Sequence, residues 1–461
     1  MKKLGFKLVL FILMAAFLAG SLLGCGTGKD NVAGTPETTS KTTDGGTSQI
    51  NGEQAEVDEL SVTGKKPGDV KGKILFWNWD ANEFDMMKSM NKIYPNVTFE
   101  FVNVSYEDYV MKLQTALASG GEVPDVLTMD ILNLGKFYSL NVTEDIGNDP
   151  WKVDKNLMIP YLSEIASDKD GKLRAVPNIP CPGGFYYRRD LAKQYLGTDD
   201  PVEVGKLIAD WDSFIKTGQD LVKKSDGKVF MVSGIDALAD AFWRQNYKPW
   251  LDGKKLLIEE NFLDSYKLLE RIRDAGIDAK IDYSSPAYNA SFAQGNVLGY
   301  FGAIWYQSYV LEANDKEGMG RWGIAANPGG AYSFGGIFWG MYKNSKNKDA
   351  ACAYLKYELS QEGAKAKYDI LKYLPPYAPA WKDTSSYLYK PNEWFGGQDT
   401  TKYYLDIMDQ MKVRKPEVDD PLFLNTFNFY VKALAKKQGS AEDLIKKVED
   451  EIISKVPDYS K

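Results

Sequence analysis

The chain has 461 residues, of which 44% are hydrophobic and 26% charged, and its formal net charge is −7. At about 100–200 residues per domain this length predicts two or three globular units, and the hydrophobic content excludes a wholly disordered chain. Histidine is absent, which excludes Ser-His-Asp catalysis and histidine-ligated zinc. The acidic balance argues against a nucleic-acid partner, because nucleic acids are normally bound by a basic surface.

Residues 1–24 have the three parts of a secretory signal peptide. Lysines are followed by an apolar stretch from Leu8 to about Leu18 and then by small residues. The segment ends in Leu22-Leu23-Gly24-Cys25, which resembles the bacterial lipobox. This resemblance implies cleavage before Cys25, lipidation of its sulfur and an anchor on the extracytoplasmic face of the cell membrane, as in Gram-positive bacteria. The alternative is an ordinary signal peptide with an incidental cysteine.

Residues 25–70 are predicted to form a disordered linker between this lipid anchor and the globular body. They are rich in Gly, Thr, Ser, Lys, Asp and Glu, with almost nothing to bury. A flexible coil of about 43 residues spans about 35–40 Å, enough to hold a globular body away from the membrane. No later stretch of the sequence is long and apolar enough to cross a bilayer.

The globular body is predicted to begin with three strands separated by two helices. The strands are residues 74–77, 97–102 and 126–130, and the helices are residues 84–94, stopped by Pro95, and 106–117, capped by Ser105 and closed by Gly120 and Gly121. Strands that alternate with helices at this spacing are typical of a parallel α/β sheet.

Polar and aromatic residues follow two of these strands, where such sheets bind ligands. Trp79, Asp80 and Asn82 follow the first strand, and Asp130 follows the third. For each of them the alternative is a capped helix or a satisfied turn. Asp125, next to Pro124, fits that structural role.

The later chain is predicted to be more helical, with short strands between the helices. Helices are predicted for residues 210–224, 261–275, 348–358 and 363–372 and for a terminal segment capped by Ser440, and strands for residues 172–176, 183–187, 299–305 and 322–326. Cys181 and Cys352 are predicted to be buried free thiols. The Asp168–Gly171 cluster indicates a tight turn better than a calcium loop, and no metal or cofactor site is predicted.

Five stretches of the sequence, taken together and in order, resemble a known family. They are Phe76-Trp77-Asn78-Trp79, the block from Tyr106 to Val126, the block from Asp170 to Leu191, Asp210-Trp211-Asp212-Ser213-Phe214, and the block from Phe292 to Trp305 with Gly335-Gly336 downstream. This order is similar to the extracellular solute-binding proteins of bacterial ABC importers, in the group that carries sugars and oligosaccharides (solute-binding protein family 1).

The resemblance implies an α/β fold of the two-lobe periplasmic-binding-protein type (type II), with the ligand cleft between the lobes. Lobe one would comprise residues 71–179 plus 336–375, and lobe two residues 180–335 plus 376–461. Proline or glycine stands at each of the three joins. The family's function implies a monomer that captures an extracellular sugar, closes around it and delivers it to the permease subunits of the transporter.

A sugar presents apolar C–H faces to aromatic rings and hydroxyl edges to carboxylates and amides. The candidate stacking residues are Trp79, Trp243 and Trp305, with Trp339 and Trp381 behind them, and the candidate polar residues are Asp80, Asn82, Asp130, Arg244 and Gln307. Trp305 matches the binding-cleft tryptophan of the family, and Trp211 is assigned to the core. Tryptophans in several separate segments favour a neutral oligosaccharide over a monosaccharide.

Two other classes of protein remain open from the residues alone. A secreted glycosidase needs only two carboxylates about 5–10 Å apart, and the chain has 63 acidic residues. A cell-surface lectin would bind sugar without a closing motion. The family resemblance favours a binding protein without catalytic residues. One departure concerns the ligand, because the chain has Cys181-Pro182 where relatives often carry a carboxylate.

Overall fold

The computed structural model describes residues 59–283 and 285–461. The predicted signal peptide, Cys25 and the linker up to residue 58 lie outside these described residues. The strands are Gly72–Asn78 (β1), Val97–Asn103 (β2), Val126–Asp130 (β3), Val176–Pro177 (β4), Gly183–Arg188 (β5), Leu251–Asp252 (β6), Lys255–Leu256 (β7), Gly299–Ala303 (β8), Trp322–Ala325 (β9) and Ile337–Met341 (β10).

The α-helices of the described residues are Ala81–Ser89 (α1), Tyr106–Ser119 (α2), Leu134–Ser139 (α3), Pro160–Ile165 (α4), Arg189–Leu191 (α5), Pro201–Leu207 (α6), Trp211–Lys224 (α7), Ala239–Gln245 (α8), Ile258–Asp274 (α9), Pro286–Gln294 (α10), Glu312–Asn314 (α11), Lys348–Glu358 (α12), Gln361–Leu371 (α13), Thr400–Met408 (α14), Asp420–Ala435 (α15) and Ala441–Lys455 (α16). Short 3-10 turns include Ile131–Asn133, Ala378–Trp381 and Glu393–Phe395, and a π-helical turn covers Gln307–Leu311. None of the helices in the described part of the chain combines the length and apolar character needed to span a bilayer.

The larger sheet has the strand order β2-β1-β3-β10-β4. β1 pairs in parallel with β2 and β3, which confirms the predicted parallel arrangement of the first three strands. β10 arrives from far along the sequence and pairs antiparallel with both β3 and β4. β1 is buried from Ile74 to Asn78 because helices cover both faces of this sheet, as is usual for parallel strands.

The smaller sheet has the strand order β8-β5-β9, and its strands are antiparallel. Its predicted strands are all present. In the larger sheet, the predicted strand at 172–176 is mostly irregular, because it follows a tight turn. The Asp168 carboxylate accepts hydrogen bonds from the backbone N–H groups of Asp170 and Lys172 and from Arg174 Nε. These bonds hold residues 168–172 in the tight turn that the sequence indicated, and only Val176 and Pro177 pair as a strand.

Two hydrophobic cores accompany the two sheets. The first lies around the larger sheet, where α12 and α13 pack on β1 and α1. The second lies around the smaller sheet, where α9 packs against the C-terminal helices α15 and α16. The chain passes between the sheets after Pro177 and again before Ile337, where Asn178 N donates to Ile337 O at 2.8 Å. The lobe boundaries proposed from the sequence, including the join at Pro375, stay a prediction.

The predicted linker ends earlier than residue 70. Leu60, Val62 and Val70 are buried against the first core. The Tyr94 hydroxyl donates to Leu60 O at 2.7 Å, and Lys65 forms an ion pair with Asp349. Residues 59–70 therefore belong to the folded body. The sequence missed this because three apolar side chains in a polar segment show no periodicity of their own.

Both cysteines of the described region are buried and unpaired, as predicted. Burial raises the pKa of the Cys181 and Cys352 thiols to about 12. A thiol in that state is a poor nucleophile, so both residues serve as small apolar side chains. Asp125 also has its predicted structural role, because its carboxylate accepts from Leu75 N at 2.8 Å.

Candidate functional site

The carboxyl ends of β1 and β3 form one wall of the candidate site. Trp79 follows β1, and its ring meets the rings of Tyr106 and Tyr109 edge-on, at centroid distances of 5.1 and 5.7 Å. Trp79, Tyr106 and Asp130 line a cavity of about 170 Å³. The structure therefore brings Trp79 and Asp130 together, as expected for two parallel strands that end at one edge of a sheet.

Asp80 and Asn82 lie at the start of α1, beside this wall. Asp80 Oδ1 caps the helix by accepting from Asn82 N at 2.9 Å, and the Asn82 side-chain amide donates to the same oxygen at 2.9 Å. The exposed Asn82 is thus held by its neighbour. Asp80 Oδ2 remains for contacts outside the helix, so Asp80 serves both as a cap and as a candidate binding group.

Asp130 combines burial with an opposite charge across the site. It caps the turn Ile131–Asn133, and its Oδ1 accepts from Leu132 N at 2.9 Å. Burial raises the pKa of Asp130 to about 6, while the hydrogen bond from Leu132 and the charge of Arg244 lower it. Arg244 is buried on α8, and burial lowers its pKa while the carboxylates of Asp240 and Asp130 raise it. One wall therefore contributes a carboxylate and α8 contributes a guanidinium.

Trp243 supports Arg244 and offers little free ring surface. The Arg244 guanidinium lies 4.4 Å from the Trp243 ring centroid and 4.6 Å from the Phe334 ring centroid. Arg414 lies 5.8 Å from the Trp243 ring, whose Nε1 donates to Asp240 Oδ1 at 3.0 Å. Two guanidiniums compete for this ring. The Trp243 ring therefore has little free surface on which a ligand could stack, and Arg244 remains a candidate polar group.

Trp305 and Gln307 follow β8 and line a second, larger cavity. The Trp305 indole donates to Phe334 O at 2.8 Å, and its half-buried ring meets the Phe334 ring edge-on. We name this space of about 370 Å³ the Trp305 cavity. Its aromatic and amide lining residues are Trp305, Gln307, Tyr368, Tyr373, Asn392, Trp394 and Tyr404. Aromatic walls with a few polar edges are typical of small-molecule sites, whose volumes run to about 300–1,000 Å³.

Tyr309 joins the two sides of the molecule. It lies in the turn Gln307–Leu311, which follows the smaller sheet. Its hydroxyl donates to Asp80 Oδ2 at 3.4 Å and is hydrogen-bonded to the Tyr373 hydroxyl. Asp80 follows the first strand of the larger sheet, so one tyrosine connects both halves. Tyr309 and Trp394 were not singled out by the sequence analysis. For Tyr309, the available signal was an aromatic residue four positions after Trp305.

Trp339 and Trp381 are not part of the candidate site. Trp339 is fully buried in β10, opposite Thr128 and Val176, and its ring meets Phe76 edge-on at 5.6 Å. Trp381 is buried in a 3-10 turn, where its Nε1 donates to Pro375 O at 2.9 Å. A ring with no open face cannot stack on a ligand, so both predictions are corrected to core residues.

The comparison with protein families decides the class of this molecule. Residues 85–386 match the family of bacterial extracellular solute-binding proteins. The chain belongs to this family. The match covers β2 to β10, and with them Asp130, Arg244 and Trp305, while β1 lies before it. The family confirms the resemblance stated from the sequence motifs, and its name describes binding and not catalysis.

Individual relatives are distant in sequence and close in fold. A lactose-binding protein of Rhizobium radiobacter is 23% identical over 407 residues, which cover 84% of this chain and 93% of that protein. A solved extracellular solute-binding protein of family 1 has a TM-score of 0.74 at 20% identity, covering 83% of this chain and 98% of that one. The sugar-binding protein MalE of Xanthomonas citri has a TM-score of 0.68 at 18% identity, covering 84% and 98%. These structures confirm the predicted two-lobe fold.

Proposed function

We propose that this solute-binding protein captures an extracellular sugar or oligosaccharide between its two lobes and delivers it, as a monomer, to the permease of an ABC transporter. The observation that carries the proposal is the Trp305 cavity, whose aromatic rings and amide edges suit the faces and hydroxyls of a sugar. Relatives described as lactose-binding and sugar-binding proteins support the same ligand class.

Both sides of the cleft contribute contacts in this proposal. Trp305 stacks on an apolar sugar face. Asp80, Asp130 and Arg244 hydrogen-bond to hydroxyl groups, and charge-assisted bonds of this kind are the stronger ones. Asn82 and Gln307 act at the rim, since their amides are already held by Asp80 and by Asn392 and Glu312. A ligand that touches both walls stabilises the closed state by its differential affinity.

A panel of sugars tests the proposal. Glucose, galactose, lactose, maltose, maltotriose and cellobiose are each added to the protein, and its thermal unfolding is followed. A ligand at a hundredfold excess over its dissociation constant should stabilise the wild type by about 2.7 kcal/mol. Small-angle scattering with that sugar should show a smaller radius of gyration, and the sugar should be recovered unchanged.

The Trp305→Ala variant places the binding site. Loss of a central stacking ring should cost at least about 2 kcal/mol of binding, or about thirtyfold in affinity, while the variant still folds. Phe429→Ala is the control, because Phe429 is an exposed ring on α15. Full affinity in Trp305→Ala would show that the stacking assignment is wrong. Hydrolysis of the sugar, or stabilisation by no sugar of the panel, would contradict the proposed function itself.

We also propose that the mature protein is a lipoprotein attached to the outside of the cell membrane through Cys25. The support is the lipobox-like end of the apolar leader, Leu22-Leu23-Gly24-Cys25. Cys25→Ala should release the protein from membranes into the medium, as measured by immunoblotting of membrane and medium fractions. Cys181→Ala, which removes a buried thiol of the folded body, is the control. Full membrane retention of Cys25→Ala would rule out the anchor.

A further inference from the structure

The Trp305 cavity has a wall that the sequence motifs did not include. One part of its lining, Trp305 and Gln307, follows the smaller sheet, and another, Tyr368 and Tyr373, lies on or just after α13 beside the larger sheet. The third part is residues 388–404, which include Trp394 in the turn Glu393–Phe395. The cavity is therefore enclosed by three segments that are far apart in sequence.

Hydrogen bonds hold residues 392–394 in place against the smaller-sheet side. Asn392 caps the turn by accepting from Trp394 N at 3.1 Å, and its side-chain amide donates to Gln307 Oε1 at 2.9 Å. Trp394 O accepts from Gly320 N at 3.2 Å. The backbone N–H and C=O of Trp394 are therefore both hydrogen-bonded. Its half-buried ring is part of the cavity wall. A ring positioned in this way loses little conformational entropy when it binds a ligand.

The aromatic chemistry of the wall favours a ring-shaped ligand with apolar faces. Trp305 and Trp394 supply two indoles to one cavity, and both remain only half-buried. The charged groups at its rim are of both signs, with Lys372 and Lys390 beside Glu393. These charges do not decide the class of ligand, whereas the two indole faces suit the C–H faces of a sugar.

We infer that Trp394 is the stacking residue of a second sugar position, so that the Trp305 cavity takes a sugar unit beyond the one that contacts Trp305. This inference rests on the proposed function and refines its ligand class to an oligosaccharide. Gln307 links the segments of the two tryptophans, because it lies two residues after Trp305 and its Oε1 accepts from Asn392 Nδ2, two residues before Trp394.

The experiment measures affinity against chain length. Glucose, maltose and maltotriose, and likewise galactose, lactose and galactosyl-lactose, are titrated by calorimetry into the wild type, Trp394→Ala, Trp394→Phe and the control Phe429→Ala. In the wild type, one added sugar unit should raise affinity at least tenfold. Trp394→Ala should lose most of that gain and keep its affinity for the shorter ligand within about threefold, while Trp394→Phe should retain a large part of the gain. Phe429→Ala should match the wild type.

A second measurement observes the ring directly. In protein labelled with 5-fluorotryptophan, the Trp394 resonance is assigned from its absence in Trp394→Phe, and it should shift when the longer sugar is added. A chain-length gain that survives in Trp394→Ala, or a Trp394 resonance that does not move, would overturn this inference and leave the proposed function standing. A wild type that binds no sugar of either series would contradict the proposed function, and this inference with it.

Discussion

Glu83 is a buried carboxyl group that is hydrogen-bonded to Asn178, where the chain passes from the larger sheet to the smaller one. It lies on α1 and is 4% exposed. Its Oε1 accepts from Asn178 Nδ2 at 2.6 Å, and Asn178 Oδ1 accepts from Lys367, which also forms an ion pair with Glu358 at 2.7 Å. Burial raises the pKa of Glu83 to about 7, Lys367 lowers it and Glu358 raises it. Lys367 thus forms an ion pair with Glu358 and is connected to Glu83 through the side chain of Asn178.

The Glu83→Gln variant should change how stability depends on pH. The ordinary pKa of this carboxyl is 4.5, so folding favours its protonated form, and the wild type loses stability as pH rises from about 4.5 through about 7. Gln keeps a neutral acceptor for Asn178 and removes this loss. Relative to wild type, Glu83→Gln should therefore gain stability between pH 5 and pH 8, by up to about 3 kcal/mol. Urea unfolding at the two pH values measures the difference.

The exposed Glu122→Gln is the control for that comparison. Other buried carboxyl groups, including Asp130, titrate in the wild type and in both variants, so they cancel when variant and wild type are compared at one pH. A Glu83→Gln difference that is the same at pH 5 and pH 8 would mean that Glu83 does not titrate in this window in the folded protein.

At the scale of elements, local sequence predicted most helices and strands. It failed where contacts with segments far away in the chain determine the end or the burial of an element. The helix predicted for residues 84–94 is α1, Ala81–Ser89, followed by a 3-10 turn, Met90–Lys92, before Pro95. The strand predicted for residues 299–305 ends at Ala303, and this early end frees Trp305 from the sheet to line its cavity.

Trp339 shows why an element's neighbours matter more than its own residues. It was named from the sequence as a further candidate stacking residue behind Trp305. Instead β10 inserts between β3 and β4, so both faces of this strand are covered and the indole is fully buried. A central strand and a cleft-edge strand have similar local sequences, because both are short and apolar.

At the scale of the whole molecule, a polar contact of Tyr309 joins the two sides beside the candidate site. The Tyr309 hydroxyl meets Asp80 Oδ2 and the Tyr373 hydroxyl, all at the surface of the cleft region. A single hydrogen bond contributes about 0.5–1.5 kcal/mol, which is enough to shift an equilibrium between open and closed states. This contact stabilises the arrangement in which the walls are close.

The Tyr309→Phe variant should favour the open state. Without the hydroxyl, the apparent affinity for the sugar that binds the wild type should fall about two- to tenfold, because closing costs more. Small-angle scattering should show a larger radius of gyration without ligand and a normal radius at saturation. Tyr195→Phe is the control, because Tyr195 is partly buried against the second core and far from Asp80 in the chain. An unchanged affinity together with an unchanged ligand-free radius would show that this contact does not influence closure.

The sequence by itself determined the class of the molecule. The order of its motifs and the parallel strands were readable locally, because strand and helix periodicities depend on neighbouring residues. The same holds for Trp79, Asp130 and Trp305, which stand directly after strands or within a family motif. These features identified the family and named three residues that the structure places on cavity walls.

Only the tertiary structure decided which aromatic rings have a free face. Trp243 is covered by Arg244, and Trp339 and Trp381 are buried, whereas Trp394 reaches the cavity from a segment that showed no motif. The physical reason is that ring exposure depends on what packs on both faces, and those partners come from segments far away in the chain. Local sequence can therefore predict that tryptophans are available for stacking, but only the folded chain selects the ones that can stack.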